Sequence, residues 1–266
     1  MEVPLVVLKL TITPLVIGAL TLAARRWGHG IAGLLVGLPL TSGPVSVFLA
    51  IEHGTDFARG AAAGTIGGIM AVCLYILAYG HTARRWTWPV SLAVGLGAFF
   101  VLAPILATKN PALVPVGVLC SMFLVGTYLL LPKAQRRGAG APAPPWDLPL
   151  RMIAATALVL GLTAAAETLG PAWTGVLSPF PVFTAVLGVF TQRHDGAAAV
   201  HTLLKGLVLG LFSFVAFFVV VGLALETFSL PMVYLMAATT ALVVNAAAWG
   251  FAHRRPTLLE AEAGPD

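Results

Sequence analysis

Charge is what this sequence has least of. Asp, Glu, Lys and Arg make up 9% of its 266 residues, where a soluble domain carries about 25%. That scarcity excludes an ordinary soluble fold. Cysteine is nearly absent too. Cys73 and Cys120 both sit inside apolar runs and read as small buried hydrophobes, not as a disulfide or a metal site. The chain has no H-E-x-x-H, no G-x-S-x-G and no P-loop, so catalysis has no signature to rest on. No acidic cluster lies deep in an apolar run, as many proton and sodium pumps need. We therefore expect no enzyme activity, no cofactor and no metal, and a transporter driven by a deeply buried carboxylate is disfavoured. The alternation of barrel strands is missing as well. No basic segment precedes the first apolar run and no A-x-A site follows it, so that run is expected to stay as a span.

What is present is apolar length. The chain is 59% hydrophobic with a mean hydropathy of +0.95, in repeated runs of roughly 20 residues, the length that crosses a bilayer as a helix. The expected fold is an all-α polytopic membrane bundle of nine spans: Val3–Ala24, Gly30–Ile51, Phe57–Tyr79, Trp88–Ala107, Leu113–Leu131, Leu148–Leu169, Trp173–Thr191, Val200–Leu225 and Leu230–Phe251. Residues 1–131 form a first membrane repeat with its linker helix. Residues 132–147, basic and then rich in Ala, Pro and Gly, read as a cytoplasmic linker. Residues 148–253 form a second membrane repeat, and 254–266 a polar, disordered tail.

The net charge of +5 and isoelectric point of 9.6 suggest orientation in a membrane, not nucleic acid. On the nine-span layout, Arg25, Arg26, Arg84, Arg85, Lys133, Arg136, Arg137, Arg151, Arg193, Lys205, Arg254 and Arg255 fall on one side. Lys9, Arg59 and Lys109 fall on the other. The positive-inside rule then places the N-terminus outside and the C-terminus in the cytoplasm, in a bacterial inner membrane.

The chain also repeats itself. Sliding Gly28–Met70 onto Gly170–Phe212, an offset of 142, brings Gly28, Gly33, Gly54, Gly64 and Gly68 onto Gly170, Gly175, Gly196, Gly206 and Gly210, and Pro39 onto Pro181. With an odd span count, the first copy enters the membrane from outside and the second from inside. Spans one to four then match six to nine by inversion, with span five between them. Inverted repeats around a midplane site are a common build of secondary transporters.

Pro39 and Pro181 lie mid-span. Each removes an intrahelical hydrogen bond and frees a carbonyl, which persists in hydrocarbon only where protein, water or substrate satisfies it. One reading is a pair of discontinuous helices that places Thr41, Ser42, Ser178 and Thr184 around a central substrate cavity. The other is a kinked packing helix. Basic residues also match at the same offset: Lys9 with Arg151, and Arg59 with His201. They read either as paired attractors for an anionic group or as side chains that snorkel, cap or pack. The equivalent turns carrying Glu52 and His53, and His194 and Asp195, read either as a titratable gate or as solvated turns. Glu167 and Glu226 read as interfacial, and Asn245 as a bond to a neighbouring helix.

The segments Gly33–Leu40 and Gly175–Phe183 resemble the G-L-x-P-x-F-P pattern of the small GlpM-type membrane proteins, from which the first copy departs at the Phe. The turn Arg193–Gly196 and the glycines after it continue the likeness. Those proteins are about half this length, so the resemblance implies a fused, inverted duplicate and a link to exopolysaccharide production. The layout is also similar to the drug/metabolite transporter superfamily, with one span fewer.

Two functions follow as expectations. One is a transporter or lipid-linked flippase that moves a small substrate by alternating access, an anionic one if the four basic positions face it. Its partners would be membrane lipids and the small-molecule or lipid-linked substrate, not nucleic acid. The other is a non-catalytic membrane subunit supporting an envelope polysaccharide or lipid synthase, as a homodimer or within an envelope complex. Gly60, Gly64, Gly67, Gly68, Gly206 and Gly210 would then be docking faces.

Overall fold

Prolines and glycines punctuate the apolar runs and set where the helices begin. The computed structural model describes residues 2–107, 112–132, 144, 146–169 and 179–253, and every regular element among them is helical. In chain order these are α1 (Glu2–Trp27), α2 (His29–Val36), α3 (Ser42–His53), α4 (Thr55–Thr82), α5 (Trp88–Ala107), α6 (Leu113–Leu130), α7 (Asp147–Leu169), α8 (Val182–His194), α9 (Gly196–Ala224) and α10 (Leu230–His253). Pro89, Pro115, Pro149 and Pro231 fall in the first turns of α5, α6, α7 and α10, where a missing N–H costs nothing. Gly54 and Gly196 hold φ of 85° and 83° at the tight turns into α4 and α9, a region that side chains other than glycine's rarely enter.

Six of the helices, α4 to α7, α9 and α10, are long and apolar enough to cross a membrane by length and composition. That fits a multi-pass helical membrane protein. The run expected as one span over Gly30–Ile51 is instead two helices, α2 and α3, separated at 37–41. In the matching run, α8 starts only at Val182; Gly170 to Ser178 lie outside the described residues, as do the linker 133–143 and the tail 254–266.

The centre of the bundle is the antiparallel pair α4 and α9, of 28 and 29 residues, each about 42 Å long. Both are buried along most of their length. They supply most of the large side chains with no exposure, among them Tyr75, Tyr79, Ile66, Leu203 and Leu204. Two hydrogen bonds fix their alignment. Arg59 Nε, near the start of α4, donates to Gly222 O near the end of α9 at 3.1 Å. His201 Nε2, near the start of α9, donates to Gly80 O near the end of α4 at 2.7 Å. Arg59 and His201 are 142 positions apart, and so are Gly80 and Gly222.

Glycine lets α2 lie directly on α9. A Cβ on Gly33 would strike Leu203 O, one on Gly206 would strike Gly30 O, and one on Gly210 would strike Leu34 O. Small residues let backbones approach in this way where no water drives helices together. Further along, a Cβ on Gly43 of α3 would lie 3.4 Å from the Phe217 ring. Thus α2 and α3 together run parallel to α9, past the break and on toward its far end. Outside this centre, α5 packs on α4, α10 on α9, α6 on both central helices, and α1 on α7.

The bundle therefore has two distinct ends. At one, α1 ends at Arg25 beside Asp147, which begins α7, and α8 ends at His194 beside the same carboxylate. The Trp86 turn is tied to this end by Gln192, whose Nε2 donates to Trp86 O at 2.9 Å. At the other end lie the turn through Gly54 and the Arg59–Glu226 ion pair. Among the described residues, the end of α1, the Trp86 turn, the start of α7 and the end of α8 share one end.

Candidate functional site

A helix that stops at a proline must find new partners for the groups it frees. In an unbroken helix Leu34 O would accept from Leu38 N. Here Leu38 N donates to Leu35 O at 3.1 Å instead. Leu34 O is taken by Asn245 Nδ2 of α10 at 3.2 Å, which also reaches Ser213 Oγ at 3.3 Å. Asn245 is thus the helix-to-helix bond expected of a mid-span amide, and it satisfies a carbonyl left by the break. On the other side of the break, Thr41 caps α3 without a side-chain hydrogen bond. The start of α8 has the same character. Val182 N donates to Phe180 O at 2.8 Å, and α8 starts at Pro181 with no side-chain cap. Phe180 is held in a ring cluster with Phe99 and Phe100, at 5.6 and 6.0 Å between centroids.

The two breaks face one cavity of about 570 Å³. Leu38, Leu40, Thr41 and Ser42 line it from the first break, and Pro179 to Thr184 from the second. Its remaining walls come from α1, Val36 of α2, α3, α4, α7 and α9. It reaches along α3 to Leu49, along α4 back to Ala61 and along α9 to Phe218, all toward the Gly54 end. In the opposite direction it stops at Leu20 of α1, short of Arg25. The wall is apolar with scattered hydroxyls, and no charged side chain lines it among the described residues. Some hydroxyls are committed: Ser46 Oγ and Tyr234 Oη share a hydrogen bond at 2.8 Å, and Thr65 Oγ1 donates to Ala61 O at 2.7 Å. Thr13 and Thr184 are 3% and 5% exposed, and neither hydroxyl has a hydrogen-bond partner among the described residues.

The Asp147 end is sealed by ions. The Asp147 side chain has no exposure. Its Oδ2 accepts from Arg25 Nη2 at 2.8 Å and from Arg151 Nε at 2.9 Å. His194 Nε2 lies 3.3 Å from its Oδ1, too poorly aligned for a hydrogen bond. Arg151 is covered by the Phe190 ring, 5.0 Å away, and His29 lies 3.3 Å from Asp195. A buried charge is tolerated when it is paired in this manner. The cluster ties α1, α7 and α8 together, and His29 and Asp195 bring in α2 and the start of α9.

The expected site residues therefore divide. Thr41, Ser42, Pro181 and Thr184 line the cavity, and Pro39 sits in the break beside it, its carbonyl accepting from Gly43 N at 2.9 Å. Ser178 lies outside the described residues, as do the side chains of Lys9 and Glu167. The basic positions are not gathered at the cavity. Arg59 pairs with Glu226 and Gly222 O, His201 with Gly80 O, and Arg151 with Asp147. The two turns part company. Glu52 and His53 are exposed, His53 stacking on Phe57 at 4.9 Å, while His194 and Asp195 join the ionic end. Of the glycines read as docking faces, Gly206 and Gly210 are covered by α2, Gly68 by Pro179 and Gly67 by Val116, while Gly60 and Gly64 are exposed with nothing within 4 Å of a Cβ.

Sequence reasoning missed Asp147, Arg25 and Thr13. For Asp147 a signal existed: an acid at the head of an apolar run with an arginine four residues on, a spacing that pairs on a helix. No family model, curated protein or solved structure matches this chain.

Proposed function

We propose that this chain is a transporter or lipid flippase of a bacterial inner membrane, working by alternating access, with the cavity between the two proline breaks as its substrate site. One observation carries the reading: one cavity is lined by the α2–α3 break and by the start of α8, its lining reaching toward the Gly54 end and stopping short of the ionic cluster at the Asp147 end. A packing kink would not require a cavity there. In this reading α2 and α3 form one broken span, giving nine spans and two inverted halves. The exchanged bonds Arg59–Gly222 and His201–Gly80 support the inversion, because each half makes the same bond to the other. The basic loops put the Asp147 end in the cytoplasm, so the described conformation faces outward. Opening inward requires Arg25 of α1 and His194 of α8 to part from Asp147. The covered glycines narrow the docking-face alternative to Gly60 and Gly64, which remain open.

The test needs no substrate. Ser42→Cys introduces a thiol on the cavity wall; the native Cys73 and Cys120 are buried. An impermeant maleimide is expected to label it from the outer face alone. Adding Asp147→Asn leaves Arg25 and Arg151 without their carboxylate, a change of about 3 kcal/mol for a buried pair, and labelling should then also occur from the cytoplasmic face. A static subunit would give the same one-sided labelling, or none, in both proteins.

A further inference from the structure

The head group of the ligand is written in the two uncapped helix starts. α3 and α8 both begin at the cavity, with 12 and 13 residues behind them, and Ser42 and Thr184 are 142 positions apart. The first N–H groups of a helix have no partner within it, and the helix dipole makes that end partly positive. No side chain caps either start. No hydrogen bond engages the backbone N–H of Thr41, Ser42, Phe183 or Thr184 among the described residues. Beside them stands Thr184, a residue 5% exposed on the cavity wall, whose hydroxyl has no hydrogen-bond partner among the described residues. Its usual acceptor four residues back, Phe180 O, already receives Val182 N. Thr13, across the cavity on α1, is in the same condition at 3% exposure. A hydroxyl on a cavity wall with no protein partner is free to bond what enters the cavity.

We propose that the cavity binds an amphipathic molecule with an apolar body and one oxyanion head, carboxylate or phosphate, the head resting between the starts of α3 and α8 with Thr184 and Ser42 as hydroxyl ligands. This rests on the cavity being the substrate site. Each part follows from chemistry. Donors without acceptors call for an oxygen anion. Among the described residues the wall offers no carboxylate, so there a cation would meet two positive helix ends with nothing to balance it. The rest of the wall, with Leu20, Val36, Leu207, Leu211 and Phe214, suits a hydrocarbon body. The anion is thus held by backbone and hydroxyls, not by Arg59, His201 or Arg151, all of which are paired elsewhere.

The test is calorimetric titration of the full chain in zwitterionic-lipid nanodiscs, with empty nanodiscs subtracted. The probes are decyl phosphate, decanoate, decanol and decyltrimethylammonium. Both anions should bind saturably and at least about tenfold more tightly than decanol, from charge-assisted hydrogen bonds, and the ammonium should bind most weakly. A preference for phosphate points to a lipid headgroup as the natural source, and a preference for carboxylate to a free acid. Thr184→Val, which keeps the shape, should weaken the anions about tenfold and leave decanol unchanged; Ser42→Ala should act in the same direction. Equal binding of decanol and the anions, preference for the ammonium, or anion affinity untouched by both substitutions would overturn the proposal. Binding needs no second conformation. Failed two-sided labelling with intact anion binding removes transport alone, and the reverse result removes the head-group assignment alone.

Discussion

At one end of the central helix pair, Arg59 reaches across to Gly222 O with 36% of its side chain exposed and Glu226 beside it. At the other end, His201 reaches across to Gly80 O and is 3% exposed. The backbone arrangement is the same at both ends. What differs is closure. At the His201 end α1, α7 and α8 converge on the Asp147 carboxylate and His29 pairs with Asp195 in the turn into α9, whereas around Arg59 the turn through Gly54 stands free and the cavity extends toward it. A molecule with two like ends, one sealed by charge and one not, has a built-in difference that a change of conformation can exchange. The comparison also shows why a basic residue near a span end is poor grounds for a ligand. Both residues are used up in holding α4 to α9.

The comparison breaks most severely where backbone meets backbone. Gly206→Val places side-chain atoms where Gly30 O now sits, and overpacking of this kind costs about 3 kcal/mol. Thermal unfolding in mild detergent should show the loss or the absence of a folded species. Gly97→Ala on α5, where nothing lies within 4 Å, should change stability by less than about 0.5 kcal/mol. The smaller effect sharpens the contrast between the two ends. His201→Leu strands Gly80 O in a buried setting and should cost about 2 kcal/mol. Arg59→Ala, at a half-exposed site, should cost about 0.5 kcal/mol. Equal losses from the two substitutions in the same unfolding assay would mean that the ends are closed alike.

Much of this was legible in the residues. Pro39 and Pro181 announced the breaks because a missing N–H has the same consequence in any fold, and Asn245 announced a partner because a mid-span amide needs one. The glycines foretold close backbone approach, though not that α2 itself would cover Gly206 and Gly210. What could not be read was convergence. Asp147 and Arg25 stand 122 positions apart, and only the packing of α1 on α7 joins them. The uncharged cavity was hidden for the same reason. Arg59, His201 and Arg151 looked available because Glu226, Gly80 O and Asp147, which engage them, lie on other helices or at other turns of the same helix. A one-dimensional reading places charges at span ends; it does not say which are already spent.

The account depends on the two matching turns facing opposite compartments. Single cysteines at Glu52 and Arg193, labelled with an impermeant maleimide in intact and in permeabilised cells, test this directly. The account predicts that Glu52→Cys labels in intact cells and Arg193→Cys only after permeabilisation. Labelling of both from the same compartment would contradict it.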